Sequence, residues 1–437
     1  MIITDYTQYA TAAERMQHLN QELPALCERN APSDDKVVKS VQQIIANVRQ
    51  KGDEALKDYA QTFDGTSITH IELSAEERNL LAQGVQPAVK QAICHALHNI
   101  EAFHSAQMPQ MVEVETQAGV RCLQKAVPIQ TVGLYIPGGR APLFSTVLML
   151  AAPARIAGCK NVVLCTPQGR DGRIAPEIIY AANECGVDHI YRIGGAQAIA
   201  AMAYGTESVT RVDKIFGPGN RYVTHAKQLV STHTAIDMPA GPSEVLVMAD
   251  HTANATYVAA DMLSQAEHGP DSQAMLVCND VAFAHAVAAE VERQTALLPR
   301  RELVESSLSH SRIVVLKERD ELTYFANAYA PEHLIISMEQ PWDIAHHITA
   351  AGSVFVGNYS PESAGDYASG TNHTLPTSGW ARAYSGVNID SFMRKITFQE
   401  LTREGLASLS STIVAMAEAE GLHAHAQAVN VRINKNA

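Results

Sequence analysis

The stretch Ser264-Gln265-Ala266-Glu267-His268-Gly269 carries a carboxamide and an imidazole three positions apart. It closes a segment, starting near Asp250 to Thr252, whose Ala255, Val258, Ala259, Met262, Leu263 and Ala266 repeat at helical spacing. Asp261, Gln265 and His268 fall at i, i+4 and i+7 on a neighbouring face, and Gly269-Pro270 stops the helix directly after them. Gln265 and His268 then project together from one turn, as half of a metal site would, since imidazole is a preferred zinc ligand. A polar helix end with a surface histidine fits the same pattern. Asp366 is a candidate third ligand, although an aspartate in a loop is more often a turn former. Glu332-His333 sets a carboxylate beside an imidazole. Histidine is a general base near neutral pH, and a desolvated glutamate can be tuned into that role. Neighbours on a strand point to opposite faces, so both serve one site only if they sit in the turn entering the strand. His423 and His425 fit a solvated helix linker equally well.

These groups need a scaffold, and the middle of the chain spells one out. Thr131 to Ile136, Asn161 to Cys165, His189 to Ile193, Lys214 to Phe216 and Glu244 to Ala249 read as strands separated by helical patterns such as Leu143 to Ala157 and Ala175 to Cys185. Ile313 to Leu316, His333 to Ile336 and Ser353 to Val356 continue the series, with a helix from Asp320 to Ala328. Such alternation implies parallel sheets with right-handed crossovers. Residues 34–62 and 74–104 read as helices, residues 363–373 as a small-residue loop, and the tail from 396 onward as helical, with a helix from Leu409 to Glu420. Glycine-rich turns at 137–139, 194–195 and 217–219 follow strands and open helices. Glycine admits a phosphate close to backbone, and a helix N-terminus favours its charge. No Gly-x-Gly-x-x-Gly is present, so the turns suggest a nucleotide cleft without the usual fingerprint. Tyr135, Gln197 and Asn220 lie beside these turns and could hydrogen-bond a cofactor, although capping is the commoner task for Asn.

Composition narrows the class. The chain has 437 residues, enough for two or three domains, with 46% hydrophobic and 18% charged residues, as in ordinary globular proteins. A net charge of −13 argues against binding nucleic acid or an anionic membrane. Seven cysteines lie scattered without metal-knuckle or redox spacing, which favours a reducing cytoplasm. The start lacks a signal-peptide pattern, and no apolar run is long enough to span a membrane. From residue types alone, a dehydrogenase, a metal-dependent hydrolase and a two-lobed binding protein all remain open.

A resemblance narrows this further. Ile236-Asp237-Met238-Pro239-Ala240-Gly241-Pro242-Ser243-Glu244, continuing through Ala259 to His268, resembles the signature of the histidinol dehydrogenase family. Gly133 to Gly139, Gly194 to Ala200, Gly217 to Asn220, Ala330 to Leu334, Gly365 to Gly370 and Ala419 to His425 are similar to that family in order, over essentially the whole chain. The resemblance implies an α/β protein with two incomplete Rossmann-like, parallel-sheet domains. Small helical N- and C-terminal elements would pack on a partner subunit. The expected division is 25–133 with 245–385 as one α/β domain, and 134–244 as an NAD-binding domain. Residues 1–24 with 386–408 form a small extension, and 409–437 a helical tail completing the partner's site. The implied activity is oxidation of L-histidinol to L-histidine through L-histidinal with two NAD+, the last two steps of L-histidine biosynthesis. Another amino-alcohol dehydrogenase is the alternative. The implied zinc, one per subunit, is held by Gln265, His268, Asp366 and His425, the last from the partner subunit of a domain-swapped homodimer. Glu332 and His333 are the implied acid/base residues, and Tyr135, Gln197 and Asn220 the NAD contacts. Substrate would meet Ser243, Gln265, His268, His333, Asp366, Glu420 and His425.

Overall fold

Short apolar runs become buried parallel strands, and helices cover them on both faces. The computed structural model describes residues 1–29, 35–138, 142–169, 171–239 and 241–433. Asp34, where the first of the expected helical segments begins, Gly139 of the first glycine turn, and Ala240 lie outside these. In chain order the strands are β1 (Ile2–Asp5), β2 (Val112–Gln117), β3 (Val120–Pro128), β4 (Thr131–Tyr135), β5 (Asn161–Cys165), β6 (His189–Tyr191) and β7 (Lys214–Phe216). Then follow β8 (Ala235–Ile236), β9 (Glu244–Ala249), β10 (Gln273–Cys278), β11 (Arg312–Val315), β12 (His333–Ser337), β13 (Ser353–Val356) and β14 (Met393–Leu401).

A five-stranded parallel sheet has the order β6-β5-β4-β7-β8. A six-stranded parallel sheet has the order β1-β11-β10-β9-β12-β13. Every residue of β9 and of β10 is buried. Met262 and Val287 pack with Val245 and Val247 on one face of that sheet, while Leu19 and Phe325 pack with Leu246 and Met248 on the other. Burial on both faces is why these strands read as apolar runs rather than as alternation. In each sheet the chain builds outward on one side of a central strand and then returns to the other. The order therefore reverses between β4 and β7, and again between β9 and β12.

The structure differs from the expected elements in several places. A third, antiparallel sheet, β14-β3-β2, occupies residues for which no element was expected, and in β14 residues from 396 onward that were expected to be helical. All of β2 is exposed and β14 is nearly so, which removes the apolar alternation that would mark a strand. The C-terminal element therefore includes a strand, and its helix begins at Arg403, capped by Thr402, rather than at Leu409. Residues 35–62 hold two α-helices, Asp35–Lys51 and Asp53–Tyr59, separated by Gly52 at φ 54, and the second runs on into a π-helical turn, Ala60–Asp64. Residues 74–104 likewise divide into Ala75–Gln83 and Pro87–Ser105. Glu362–Tyr367, expected as loop, is a short helix.

Sheet membership also cuts across the expected segments. β1 is an edge strand of the six-stranded sheet, and Leu19 and Leu26 of the first helix, Ala12–Leu26, lie in that sheet's core. Val41 and Ile93 instead pack with the helices and strands of the five-stranded sheet. Among the described residues, no helix is long and apolar enough to cross a membrane.

Candidate active site

The helix carrying Gln265 spans Ala255–Ala266, with Asn254 accepting from the Thr256 N–H as its cap. It starts later than expected, because Asp250 holds Thr252 in a separate turn, its Oδ1 accepting from the Thr252 N–H at 2.9 Å. It also ends before His268, with Glu267 as its C-cap. Gln265 is fully buried in the last turn, and His268 is exposed beyond it. The Gln265 amide is oriented by its neighbours: Nε2 donates to Glu362 Oε2 at 3.1 Å while Oε1 accepts from the Glu244 N–H at 2.9 Å.

Asp366 and Glu362 are four residues apart on the helix Glu362–Tyr367, so they share a face. Together with His268 they bring three ligand atoms within 4.8 Å of one another. One imidazole and two carboxylates make a donor set suited to a divalent cation such as zinc. Glu362 is missed from sequence because it directly precedes residues 363–373, expected as a loop; helical spacing to Asp366 was the available signal.

Glu332 lies in the turn entering β12, and His333 is the first residue of that strand. Ala330, at φ 51, and Pro331 make the turn, so both side chains reach one site despite being neighbours. Both are buried. Glu332 Oε2 accepts from the Glu244 N–H at 2.9 Å and lies 3.7 Å from His333 Nδ1. His333 Nδ1 faces the Glu244 carbonyl at 3.3 Å. His333 Nε2 points toward Asp366 Oδ1 at 3.6 Å and has no hydrogen-bond partner. His373, unassigned from sequence, places Nδ1 2.9 Å from the Asp366 carbonyl and Nε2 3.3 Å from Thr146 Oγ1. Thr146 lies in the first turn of Phe144–Ala157, the helix that follows β4. The acidic cluster thus rests against the five-stranded sheet's half of the chain.

Buried acids crowd this cluster around one imidazole. Burial pushes the Glu362 carboxyl up to about 8 and Asp261 up to about 7. Burial also raises Glu332, against the pull of His333. For His333, burial works downward, but Glu362, Glu332 and Asp366 outweigh it and favour the imidazolium. For Asp366, burial works upward, and His333 outweighs it to hold the carboxyl below its ordinary range.

The raised groups carry extra protons in the folded state, so their contribution is complete below the unfolded values and fades as pH rises through the folded ones. Protein stripped of divalent cations is therefore expected to lose melting temperature between about pH 5 and pH 8. Asp366 acts in the opposite sense only near and below its ordinary value. Zinc added to the same protein should raise the melting temperature more at pH 8 than at pH 6. A metal-free melting temperature that climbs over this window would contradict the charge arrangement.

Of the expected cofactor residues, Tyr135 and Asn220 sit at the other switch point, beyond the carboxyl ends of β4 and β7, and Gln197 sits beyond β6. Tyr135 ends β4, is buried, and its hydroxyl accepts from the Gly195 N–H at 3.0 Å. Gly217, at φ 121, follows β7; a Cβ there would collide with the Tyr135 carbonyl, so only glycine fits. Gln197 is buried in the helix Gly195–Tyr204. Asn220 caps Arg221–Val230, its Oδ1 accepting from the Tyr222 and Val223 N–H groups. The turn is pinned by a buried pair that sequence reasoning missed. Lys227 donates to the Gly217 carbonyl at 2.8 Å, and Asp237 Oδ2 accepts from the Gly217 N–H at 2.8 Å.

Glu420 and His425 are not brought to this cluster within one chain. Glu420 closes the helix Arg403–Ala419, and His425 lies on His423–Ile433, which packs against that helix; both residues are exposed, as is His423. Ser243 is half-buried immediately before β9.

The histidinol dehydrogenase family model matches residues 27–433. The chain belongs to the histidinol dehydrogenase family. Histidinol dehydrogenase of Bacteroides thetaiotaomicron is 54% identical over 410 residues, covering 94% of this chain and 96% of that protein. The Escherichia coli O6:H1 enzyme is 53% identical over 405 residues, covering 92% of each. The crystal structure of histidinol dehydrogenase from Elizabethkingia anophelis superposes with a TM-score of 0.94 at 47% identity, covering 99% of this chain and 98% of that one. As a histidinol dehydrogenase, the chain is an oxidoreductase, and its α/β architecture is that of the family.

Proposed function

We propose that the protein oxidises L-histidinol to L-histidine through L-histidinal with two NAD+ in succession, completing L-histidine biosynthesis. The observation that carries this reading is His333 Nε2, buried, unpartnered and facing Asp366 across 3.6 Å. A buried ring nitrogen left without a partner is the place for a substrate hydroxyl.

Gln265, His268 and Asp366 would hold one zinc per subunit, with His425 of the partner subunit as fourth ligand of a domain-swapped homodimer. Zinc has no redox chemistry; there it would hold the substrate imidazole and amine and offset the carboxylate charge that otherwise keeps His333 protonated. NAD+ supplies the hydride acceptor, and Tyr135, Gln197 and Asn220 are its proposed contacts. Ser243, Glu420 and the metal-site residues complete the substrate pocket. Asn220 would contact cofactor from its capping position at a helix N-terminus, where anions are favoured.

Neutral His333 takes the hydroxyl proton as the carbinol hydride leaves. Glu332 then takes a proton from water adding to the aldehyde carbon, and the resulting hydrate loses the second hydride. Exposed Met416, Leu422 and Val431 on the tail suit a surface covered by a second subunit. The seven cysteines are free thiols, in keeping with the cytoplasmic location we assign.

The deciding experiment measures NADH formed per L-histidinol consumed. A ratio of about two supports the four-electron reaction, since each NAD+ accepts one hydride. A ratio of about one points to a single-step amino-alcohol dehydrogenase, and turnover without NADH points to a hydrolase; either overturns the reading.

A further inference from the structure

We infer that Arg29 is a positioning residue for the acid/base pair, acting through Glu244; this rests on the reading of Glu332 and His333 just given. Glu244 opens β9 and is 1% exposed, and Arg29 is 11% exposed. The guanidinium grips the Glu244 carboxylate with both prongs, Nε to Oε2 at 2.7 Å and Nη2 to Oε1 at 3.2 Å. It also donates to the carbonyls of Cys27 and Tyr329, each at 2.7 Å, and lies 3.7 Å over the Tyr329 ring.

The contacts to Glu244 and to Tyr329 both lead to the acid/base pair. The Glu244 backbone touches three site residues: its N–H donates to Glu332 Oε2 and to Gln265 Oε1, both at 2.9 Å, and its carbonyl faces His333 Nδ1 at 3.3 Å. Tyr329 ends the helix Arg319–Tyr329, directly before the Ala330-Pro331 turn from which Glu332 and His333 hang. Arg29 therefore holds both the backbone that the pair bonds to and the turn that presents the pair. A bond at His333 Nδ1 sets the ring's orientation and aims Nε2 at the space before Asp366.

Stability alone is a weak reason for this arrangement. A buried ion pair contributes little more than well-packed apolar residues of similar volume, and removing one partner leaves a costly buried charge. Lysine cannot substitute, since it lacks the planar fork and the stacking surface.

The test compares Arg29→Lys, Arg29→Met and the double variant Arg29→Met/Glu244→Met, with His333→Asn as reference. Melting temperature should fall in Arg29→Met, which strands the Glu244 charge, and recover in the double variant. In the double variant and in Arg29→Lys, kcat should nonetheless drop about 10- to 100-fold, the scale of a misplacement near 1 Å. KM for NAD+ should hold within about twofold, because the cofactor residues lie on the other sheet, and the pH profile of kcat should shift. A double variant recovering melting temperature together with wild-type kcat and pH profile would show a purely structural pair and overturn the inference. Should the double variant not fold, a folded Arg29→Lys with wild-type kcat and pH profile overturns it. If His333→Asn keeps wild-type kcat, the acid/base reading itself falls and takes this inference with it. If His333→Asn is inactive and Arg29→Lys is not, the inference alone falls.

Discussion

His333→Asn is expected to lower kcat for L-histidinol oxidation about 10²- to 10⁴-fold, the range for loss of a general acid/base. Asparagine keeps a polar group able to face the Glu244 carbonyl at the Nδ1 side. It removes the basic Nε2 that now has no partner. The fold should survive, because Leu334 to Ile336 anchor β12 in the core independently of the ring. Glu332→Gln separates the two half-reactions. Its amide remains close to isosteric but cannot take a proton from water. Oxidation of L-histidinal, which needs that water, should slow far more than the first hydride transfer in a single-turnover measurement. Equal slowing of both steps would refute the division of labour between the two residues.

The second large effect concerns the metal. Asp366→Ala and His268→Ala each remove a donor from the three-residue cluster, and zinc per subunit should fall from about one toward zero, with activity following. On the proposed swapped arrangement His425→Ala should do the same, whereas His423→Ala should keep its metal. The reverse outcome, zinc lost with His423 and kept without His425, would move the tail's ligand by two residues. Glu362→Gln is the informative intermediate. The Glu362 carboxylate accepts from the Gln265 amide, so its loss should weaken zinc affinity about 10- to 100-fold without abolishing binding, as orienting partners of ligands do. Metal content by elemental analysis reads all five variants on one scale and does not depend on turnover.

The site was legible where local chemistry is self-contained. Glu332-His333 stands out as an acid beside a base; the turn made by left-handed Ala330 with Pro331 leaves Glu332 outside the strand that His333 begins, so the strand rule that would send the two to opposite faces does not apply. Gln265 and His268 were legible as neighbours, but the helix ends between them, leaving Gln265 buried and His268 exposed. Glu362 was not, because a six-residue helix rich in small residues has no apolar periodicity to announce it. Arg29 and Glu244 are 215 residues apart, and no local pattern links them. The antiparallel β2, β3 and β14 were missed for a related reason. Their pairing is a matter of backbone hydrogen bonds, and exposed strands leave little burial signal in the sequence.

By itself, the sequence determined the parallel α/β class, the sites of most central strands, the glycine turns and, through its resemblance, the family. Each is written into contiguous residues: strands buried on two faces must be apolar throughout, and a backbone that approaches another closely at Gly217 admits no Cβ. Only the tertiary structure decided where the chemistry collects. Glu332, His333 and Glu244 stand at the amino ends of β12 and β9, while Tyr135 and Gly217 stand at the carboxyl ends of β4 and β7. It also decided which buried charges face one another. A buried charge is tolerated only with its partners, and those partners arrive from distant parts of the chain.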